Sequence, residues 1–134
     1  HMLQSLEVNV VTQSRASHDY QPSLDQWAPL GVTSMFSQAL GVTPLKDNFW
    51  SNGREQPGNK KYDKKQINQE YTPRLHAVVA TYSTGNVNPS DKMDMMDKEL
   101  IMRSCAKDGR LLKPDVPAVR TDKSLFLESG LFLD

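Results

Sequence analysis

The order of apolar and polar residues in the first third of the chain predicts a strand followed by a helix. Residues 6–12 (LEVNVVT) alternate apolar and polar positions and are rich in β-branched side chains, which is typical of a strand. Residues 31–40 (GVTSMFSQAL) repeat apolar residues three or four positions apart, so they predict a helix, and Gly41 is suited to end it. The apolar positions of this helix are Val32, Met35, Phe36, Ala39 and Leu40.

A second strand-then-helix unit follows. Residues 43–50 predict a short strand that leads into a loop, and the polar residues 51–66 predict an exposed loop or insertion. The second helix begins with Thr72 as N-cap and Pro73 in its first turn. Its apolar stripe consists of Leu75, Val78, Val79 and Tyr82.

The third unit is shorter. Residues 86–91 predict a strand end, and a helix capped by Asp91 or Asp94 extends to Cys105. Three such units suit an α/β fold with a parallel sheet, yet three parallel strands leave two open edges and one bare face. We therefore expect a fragment of a larger α/β protein, or a subunit that pairs with itself or with a second chain.

Composition narrows the function classes. The 16 Lys and Arg residues balance 16 Asp and Glu residues, so the net charge is zero, and we expect neither nucleic acid nor a membrane surface as a partner. One cysteine excludes a disulfide within the chain, and three histidines are too few for an ordinary zinc site. No glycine-rich phosphate loop or metal-ligand motif occurs in the sequence, so we expect no cofactor and no metal. The compartment is left open.

Polar side chains follow each predicted strand, where active sites of parallel α/β proteins lie. Arg15 and Asp19 follow the first strand, Asp47 and Trp50 belong to the second, and Ser90 and Asp91 follow the third. Carboxylates beside aromatic rings are typical of carbohydrate chemistry, since acids transfer protons and rings cover the apolar faces of sugars.

Each candidate also has a simpler structural interpretation. Asp19 could cap a turn, Arg15 could belong to a surface ion pair, and Asp47 could be a polar loop residue. The two tryptophans, Trp27 and Trp50, could anchor loops instead of binding sugars.

Several segments resemble the raffinose synthases and related α-galactosidases. Residues 15–20 (RASHDY) resemble the Arg-x-Ser-Asp-Asp-Phe segment of that family, and residues 47–51 (DNFWS) follow in the family's order. Further matching segments lie at residues 33–36 (TSMF), 76–77 (HA), 90–92 (SDK) and 108–114 (DGRLLKP). The resemblance spans roughly residues 6–126, with gaps near 51–70.

The resemblance implies that the three units are strands six to eight of a (β/α)8 TIM barrel, that is, a partial barrel. It implies a retaining glycoside hydrolase or glycosyltransfer enzyme that acts on α-linked sugars, of the α-galactosidase type, with Asp19 as general acid/base and Arg15 beside it. Asp47, Trp50, Ser90 and Asp91 would then bind the carbohydrate. His18 departs from the family, which has an acidic residue at that position.

The resemblance places the nucleophile on strand four, upstream of this chain, so we expect the chain alone to be inactive. It would pair with the upstream half of the barrel, with a second chain or with itself. By this interpretation His1 and Met2 are a cloning remnant, residues 3–126 form the barrel segment, and residues 127–134 form a tail of unknown role. The alternative is a non-catalytic carbohydrate-binding or structural protein, such as a matrix component, derived from the same fold.

Overall fold

The computed structural model of the protein describes residues 6–8, 10–22, 29–56 and 69–128. Within these ranges the chain forms short strands and helices joined by long irregular segments. In chain order they are β1 (Gln13–Arg15), α1 (Leu30–Ala39), β2 (Thr43–Leu45), α2 (Pro73–Tyr82), α3 (Lys98–Met102) and α4 (Asp122–Glu128).

The two strands lie side by side and run parallel. Gln13 is opposite Thr43 and Arg15 is opposite Leu45, with α1 between the strands in sequence. A single parallel bridge joins Phe49 to Pro89, so the segment after β2 also contacts the third predicted strand. The carboxyl ends of these segments therefore lie on the same side of the fold.

The partial barrel stays a prediction. In the described ranges the sheet has two strands, and residues 86–91 contribute a single bridge at Pro89 instead of a full third strand. The parallel order of the segments agrees with a β/α arrangement, but it is too short to establish three units of a barrel.

The strand predicted at residues 6–12 is wrong: the described residues of that segment are not extended strand, and β1 follows directly after it. Leu6 and Glu7 have a helical backbone, and the strand starts at Gln13. Leu6, Val8 and Val10 are all exposed, so no apolar surface holds this segment in an extended conformation. The pairing with β2 is therefore limited to the three residues from Gln13 to Arg15.

Helix α1 confirms the predicted helix and its end at Gly41. Gly41 has a φ of 68°, and its N–H donates to the Gln38 carbonyl at 3.0 Å. The Val42 N–H donates to the Ser37 carbonyl at 2.9 Å, which completes a Schellman motif. A residue without a Cβ adopts this left-handed turn most easily.

The helices bury different faces from those that the apolar stripes predict. In α1 the buried residues are Leu30, Ser34 and Ser37, whereas Met35 and Phe36 are exposed. In α2 the buried residues are His76, Ala77 and Ala80, whereas Leu75, Val78 and Tyr82 are exposed. Most of the buried positions carry small side chains, with Leu30 and His76 as the large exceptions, and several of the large apolar side chains lie outside.

The third helix is shorter than predicted. It begins at Lys98, because Asp97 serves as N-cap and its Oδ1 accepts a hydrogen bond from the Leu100 N–H at 3.0 Å. Asp94 has a φ of 76°, a left-handed conformation that no helix continues through. Neither Asp91 nor Asp94 therefore caps this helix.

The core is small. Phe49, Ala77, Ala80 and Leu100 form its buried cluster, with Tyr20 and Val87 packed against it. None of the helices in the described ranges has the length and hydropathy that a membrane crossing requires. Trp27, the basic part of the predicted loop after residue 56 and the end of the tail lie outside the described residues.

Candidate functional site

Arg15 contacts two of the predicted site carboxylates at once. It is the last residue of β1, and its guanidinium lies 2.7 Å from Asp19 Oδ1 and 3.2 Å from Asp47 Oδ2. Asp47 comes two residues after the end of β2, so the pairing of β1 with β2 brings the three groups together. We call Arg15, Asp19 and Asp47 the carboxylate cluster.

The two carboxylates of this cluster differ in their surroundings. The Asp19 side chain is 80% exposed, and Arg15 is the charged group that it contacts. The Asp47 side chain is 23% exposed. Its Oδ2 accepts from the Tyr20 N–H at 2.8 Å and its Oδ1 from the Asn48 N–H at 2.9 Å. Asp47 is therefore held in place as a hydrogen-bond acceptor, whereas Asp19 is open to a ligand or to water.

Two aromatic rings lie beside the cluster. Tyr20 and Trp50 contact each other edge to face, with ring centroids 5.9 Å apart and an angle of 71° between the planes. The Tyr20 hydroxyl oxygen also accepts a hydrogen bond from the backbone N–H of Trp50 at 3.2 Å. Trp50 as a whole is half-buried.

Asp91 lies apart from the cluster and is engaged by the protein. Its side chain accepts hydrogen bonds from the Ser51 N–H at 2.9 Å, from Asn52 at 3.0 Å and from Gln56 at 2.8 Å. Ser90 N donates to the Phe49 carbonyl at 2.8 Å. These contacts tie the chain after β2 to residues 90–91, next to Trp50, and they use the Asp91 carboxylate within the fold.

Residues 51–56 are only partly the exposed loop that their composition predicts, since Arg54 and Glu55 are exposed and three other residues are not. Ser51, Asn52 and Gln56 are buried, and all three donate to Asp91. Hydrophobicity cannot identify this segment, because hydrogen bonds to one carboxylate hold it in place.

A second group of polar side chains includes Tyr20 itself. We call Tyr20, Lys46, Glu70 and His76 the buried polar cluster. The Tyr20 hydroxyl donates to Glu70 Oε2 at 2.8 Å. Lys46 Nζ donates to the carbonyls of Asp47 and Asn48 at 3.2 and 3.1 Å, and it lies 5.4 Å from the centroid of the Tyr20 ring. Ionised groups this deep need such partners to offset lost hydration.

His76 is buried between aromatic rings. It stacks on Phe49 with centroids 6.5 Å apart and meets Tyr20 edge to face at 5.8 Å, so it packs within the core. Its Nε2 lies 3.3 Å from Glu70 Oε2, yet neither ring nitrogen has an aligned hydrogen-bond partner in the part of the chain that the structure describes.

The surroundings change the protonation of the buried polar cluster. Burial lowers the pKa of Lys46 to about 8, opposed by Asp47 and Glu70. Burial and the nearby Lys46 charge lower the pKa of His76 to about 4. Burial and the hydrogen bond to Glu70 raise the pKa of Tyr20. At neutral pH the imidazole is therefore neutral and the Tyr20 hydroxyl keeps its proton.

Glu70 is the residue that sequence reasoning missed. It is buried, and its Oε1 accepts from the Thr72 N–H at 2.8 Å and the Thr72 hydroxyl at 3.2 Å. The sequence offered one signal for a role of Glu70, namely its position two residues before Thr72, the N-cap of α2, since carboxylates are favoured near helix N-termini. That signal does not indicate burial or a contact with Tyr20, 50 residues earlier in the chain.

Comparisons of the chain with protein-family models, with curated proteins and with solved structures give no match. The resemblance to the raffinose synthases and α-galactosidases therefore stays a prediction from the motifs. The function is argued below from the geometry of the carboxylate cluster and the rings beside it.

Proposed function

We propose that the carboxylate cluster is the acid/base half of a site that hydrolyses or transfers an α-linked sugar, as in the α-galactosidase-like enzymes that the sequence resembles. In this proposal Asp19 protonates the leaving oxygen and later takes a proton from the incoming water or hydroxyl. Arg15 orients Asp19, and Asp47 binds substrate hydroxyls. Trp50 covers an apolar sugar face, and Ser90 and Asp91 support the same edge of the site.

The observation that carries the proposal is the shared contact of Arg15 with Asp19 and Asp47. It lies at the carboxyl ends of two parallel strands, where α/β proteins bind their ligands. The more exposed carboxylate, Asp19, is free to approach a glycosidic oxygen, and the rings of Tyr20 and Trp50 are close by.

A retaining mechanism needs a second carboxylate, roughly 5 Å from the acid, to attack the anomeric carbon. The resemblance places this nucleophile on strand four of the barrel, so the test uses the natural full-length chain. Phenyl and 2,4-dinitrophenyl α-galactosides, with the matching α-glucosides, serve as substrates.

Replacing Asp19 should have an effect that depends on the leaving group. For the phenyl glycoside, Asp19→Asn should lower kcat/KM roughly 10²- to 10⁴-fold, because protonation of the leaving oxygen is lost. For the dinitrophenyl glycoside the loss should be much smaller, because this leaving group departs without a proton. Added azide should accelerate turnover of the dinitrophenyl glycoside by the variant, since azide attacks the intermediate without a general base.

Asp115→Asn serves as the matched control, because Asp115 is an exposed carboxylate outside both clusters. Its kinetics should equal those of the unmodified protein. If Asp19→Asn changed kcat/KM by the same factor for the phenyl and the dinitrophenyl glycoside, the assignment of Asp19 as the acid/base would be refuted. Sugar binding without hydrolysis by the unmodified full-length protein would favour the non-catalytic alternative.

A further inference from the structure

Tyr20 connects three separate segments of the proposed site. Its N–H donates to Asp47 Oδ2 at 2.8 Å, and its hydroxyl donates to Glu70 Oε2 at 2.8 Å. The hydroxyl oxygen accepts from the Trp50 N–H at 3.2 Å. Asp19 precedes Tyr20 directly, so the contacts of Tyr20 determine where the Asp19 backbone lies.

Asp19 itself has little to hold it in place. Its side chain is 80% exposed, and its ion pair with the half-exposed Arg15 is of the kind that contributes little energy in water. A carboxyl group that transfers protons must nevertheless be held close to one geometry. Part of the restraint therefore has to come from the backbone next to it, in addition to the contact with Arg15, and this backbone is the part that Tyr20 holds.

Glu70 is built to hold the Tyr20 hydroxyl. It is buried just before α2, and two hydrogen bonds from Thr72 fix its Oε1 and leave Oε2 directed at Tyr20. The nearby Lys46 ammonium offsets its negative charge. The raised pKa of Tyr20 keeps the hydroxyl protonated, so it remains a donor to Glu70 throughout the range in which a carboxylic acid works.

We propose that Glu70 is a positioning residue of the glycosidase site: it fixes Tyr20, and Tyr20 fixes the backbone that carries Asp19. The inference rests on the proposed function and names a residue that the family resemblance did not include. Glu70 does not touch the substrate and acts through Tyr20.

The test compares Tyr20→Phe and Glu70→Gln in the natural full-length chain, with the phenyl and 2,4-dinitrophenyl glycosides as probes. Tyr20→Phe keeps the ring and the backbone hydrogen bond to Asp47 and removes only the hydroxyl. Both variants should lower kcat for the phenyl glycoside roughly 10- to 100-fold, with KM within about twofold. They should change kcat/KM for the dinitrophenyl glycoside much less, because departure of this leaving group does not use the Asp19 proton.

A double-mutant cycle separates positioning from general support of the fold. In an Asp19→Asn background, adding Glu70→Gln should produce no further loss on the phenyl glycoside, because the group being positioned is already absent. Glu99→Gln, which alters an exposed carboxylate paired with Arg103, is the matched control and should behave like the unmodified protein. Circular dichroism and urea unfolding of every variant verify that it is folded.

The outcomes separate the inference from the proposed function. If Asp19→Asn shows the leaving-group dependence and both Tyr20→Phe and Glu70→Gln slow the two substrates equally, the positioning role is refuted and the proposed function stands. Additive losses in the cycle would refute it as well. If Asp19→Asn lacks the leaving-group dependence, the proposed function fails and the inference fails with it.

Discussion

His76 is the residue whose surroundings most clearly oppose a change of charge. It is packed between Phe49 and Tyr20, and the Lys46 ammonium is close enough to disfavour an imidazolium. Glu70 favours the charged form but does not outweigh burial and Lys46, so the pKa falls from 6.5 to about 4. His76 is neutral in the folded protein over most of the acidic range.

This shift predicts a loss of stability in acid. Between about pH 6.5 and pH 4 the unfolded chain binds a proton at His76 that the folded protein does not, so the free energy of unfolding decreases as the pH falls through this window. The pKa difference corresponds to about 3 kcal/mol. Urea unfolding at a series of pH values should show this decrease, and His76→Leu, which has a similar volume and no titrating group, should remove that part of it.

His18→Gln is the control for the pH experiment, because His18 is an exposed histidine in the same chain. Its unfolding should follow the pH dependence of the unmodified protein. An identical pH dependence in His76→Leu would show that burial of His76 does not contribute to acid sensitivity.

At the residue scale, the sequence allowed a prediction of which groups meet at the exposed edge but not of what supports them. Arg15, Asp19 and Asp47 follow predicted strands, so their proximity follows from parallel pairing. Glu70 and the buried amide of Gln56 could not be predicted, because both lie in polar segments whose burial depends on partners far away in the chain.

At the scale of the elements, the chain after α2 approaches strand β2 closely at Gly85. A Cβ atom added to Gly85 would lie 2.6 Å from the Pro44 carbonyl oxygen and 2.8 Å from Leu45 Cα. These are backbone atoms of β2, which cannot move without disturbing the pairing with β1. Residue 85 therefore needs the absence of a side chain.

Gly85→Ala should destabilise the protein by about 1–3 kcal/mol or more, because it overpacks a contact between backbones. Chemical denaturation measures the change in the free energy of unfolding. Gly41→Asn is the control, since the φ of 68° at Gly41 is tolerated by asparagine and no atom lies within 4 Å of the added Cβ. A smaller loss for Gly85→Ala than for Gly41→Asn would contradict this account.

The positions of α1 and of the start of α2 were predictable, and the buried faces of the helices were not. The spacing of apolar residues and the Gly41 signal locate α1 to within a residue, and Pro73 marks the first residue of α2. Most of the buried positions of both helices carry small or polar residues, such as Ser34 and Ala80. A prediction that places the large apolar side chains on the buried face is wrong for such helices.

At the scale of the whole molecule, large apolar side chains on both α1 and α2 face outward. Phe36 is 59% exposed, and Val78 and Tyr82 are each 53% exposed. Ala77, Val78, Tyr82 and Leu100 also contribute to a groove of about 290 Å³ between α2 and α3. Val78 and Tyr82 line the same groove, and exposed apolar side chains that lie together are a feature of faces that contact another polypeptide.

We therefore predict that this 134-residue chain self-associates. Sedimentation velocity at increasing concentration should show species larger than the monomer, because association removes apolar surface from water. Phe36→Gln and Val78→Gln test the exposed faces of α1 and α2 separately, and at least one should weaken association. A monomer at every concentration would refute the prediction.

The predicted barrel illustrates the limit of local patterns at this scale. Each strand signal concerns a few residues, whereas a barrel is defined by pairings between strands far apart in the chain. The described residues contain β1 paired with β2 and one bridge at Pro89, so the sequence order of the units was informative and their closure into a ring stays a prediction.

The hydrogen bonds of Asp91 restrict how this protein could acquire a new specificity. A carboxylate that holds Ser51, Asn52 and Gln56 cannot be turned toward a ligand without releasing the segment next to Trp50. The side chain of His18 is exposed beside Asp19, so a substitution there would not release this segment. We therefore expect adaptation to another ligand to occur through substitutions at position 18. Asp91 should be retained, because its hydrogen bonds hold the segment next to Trp50 in place.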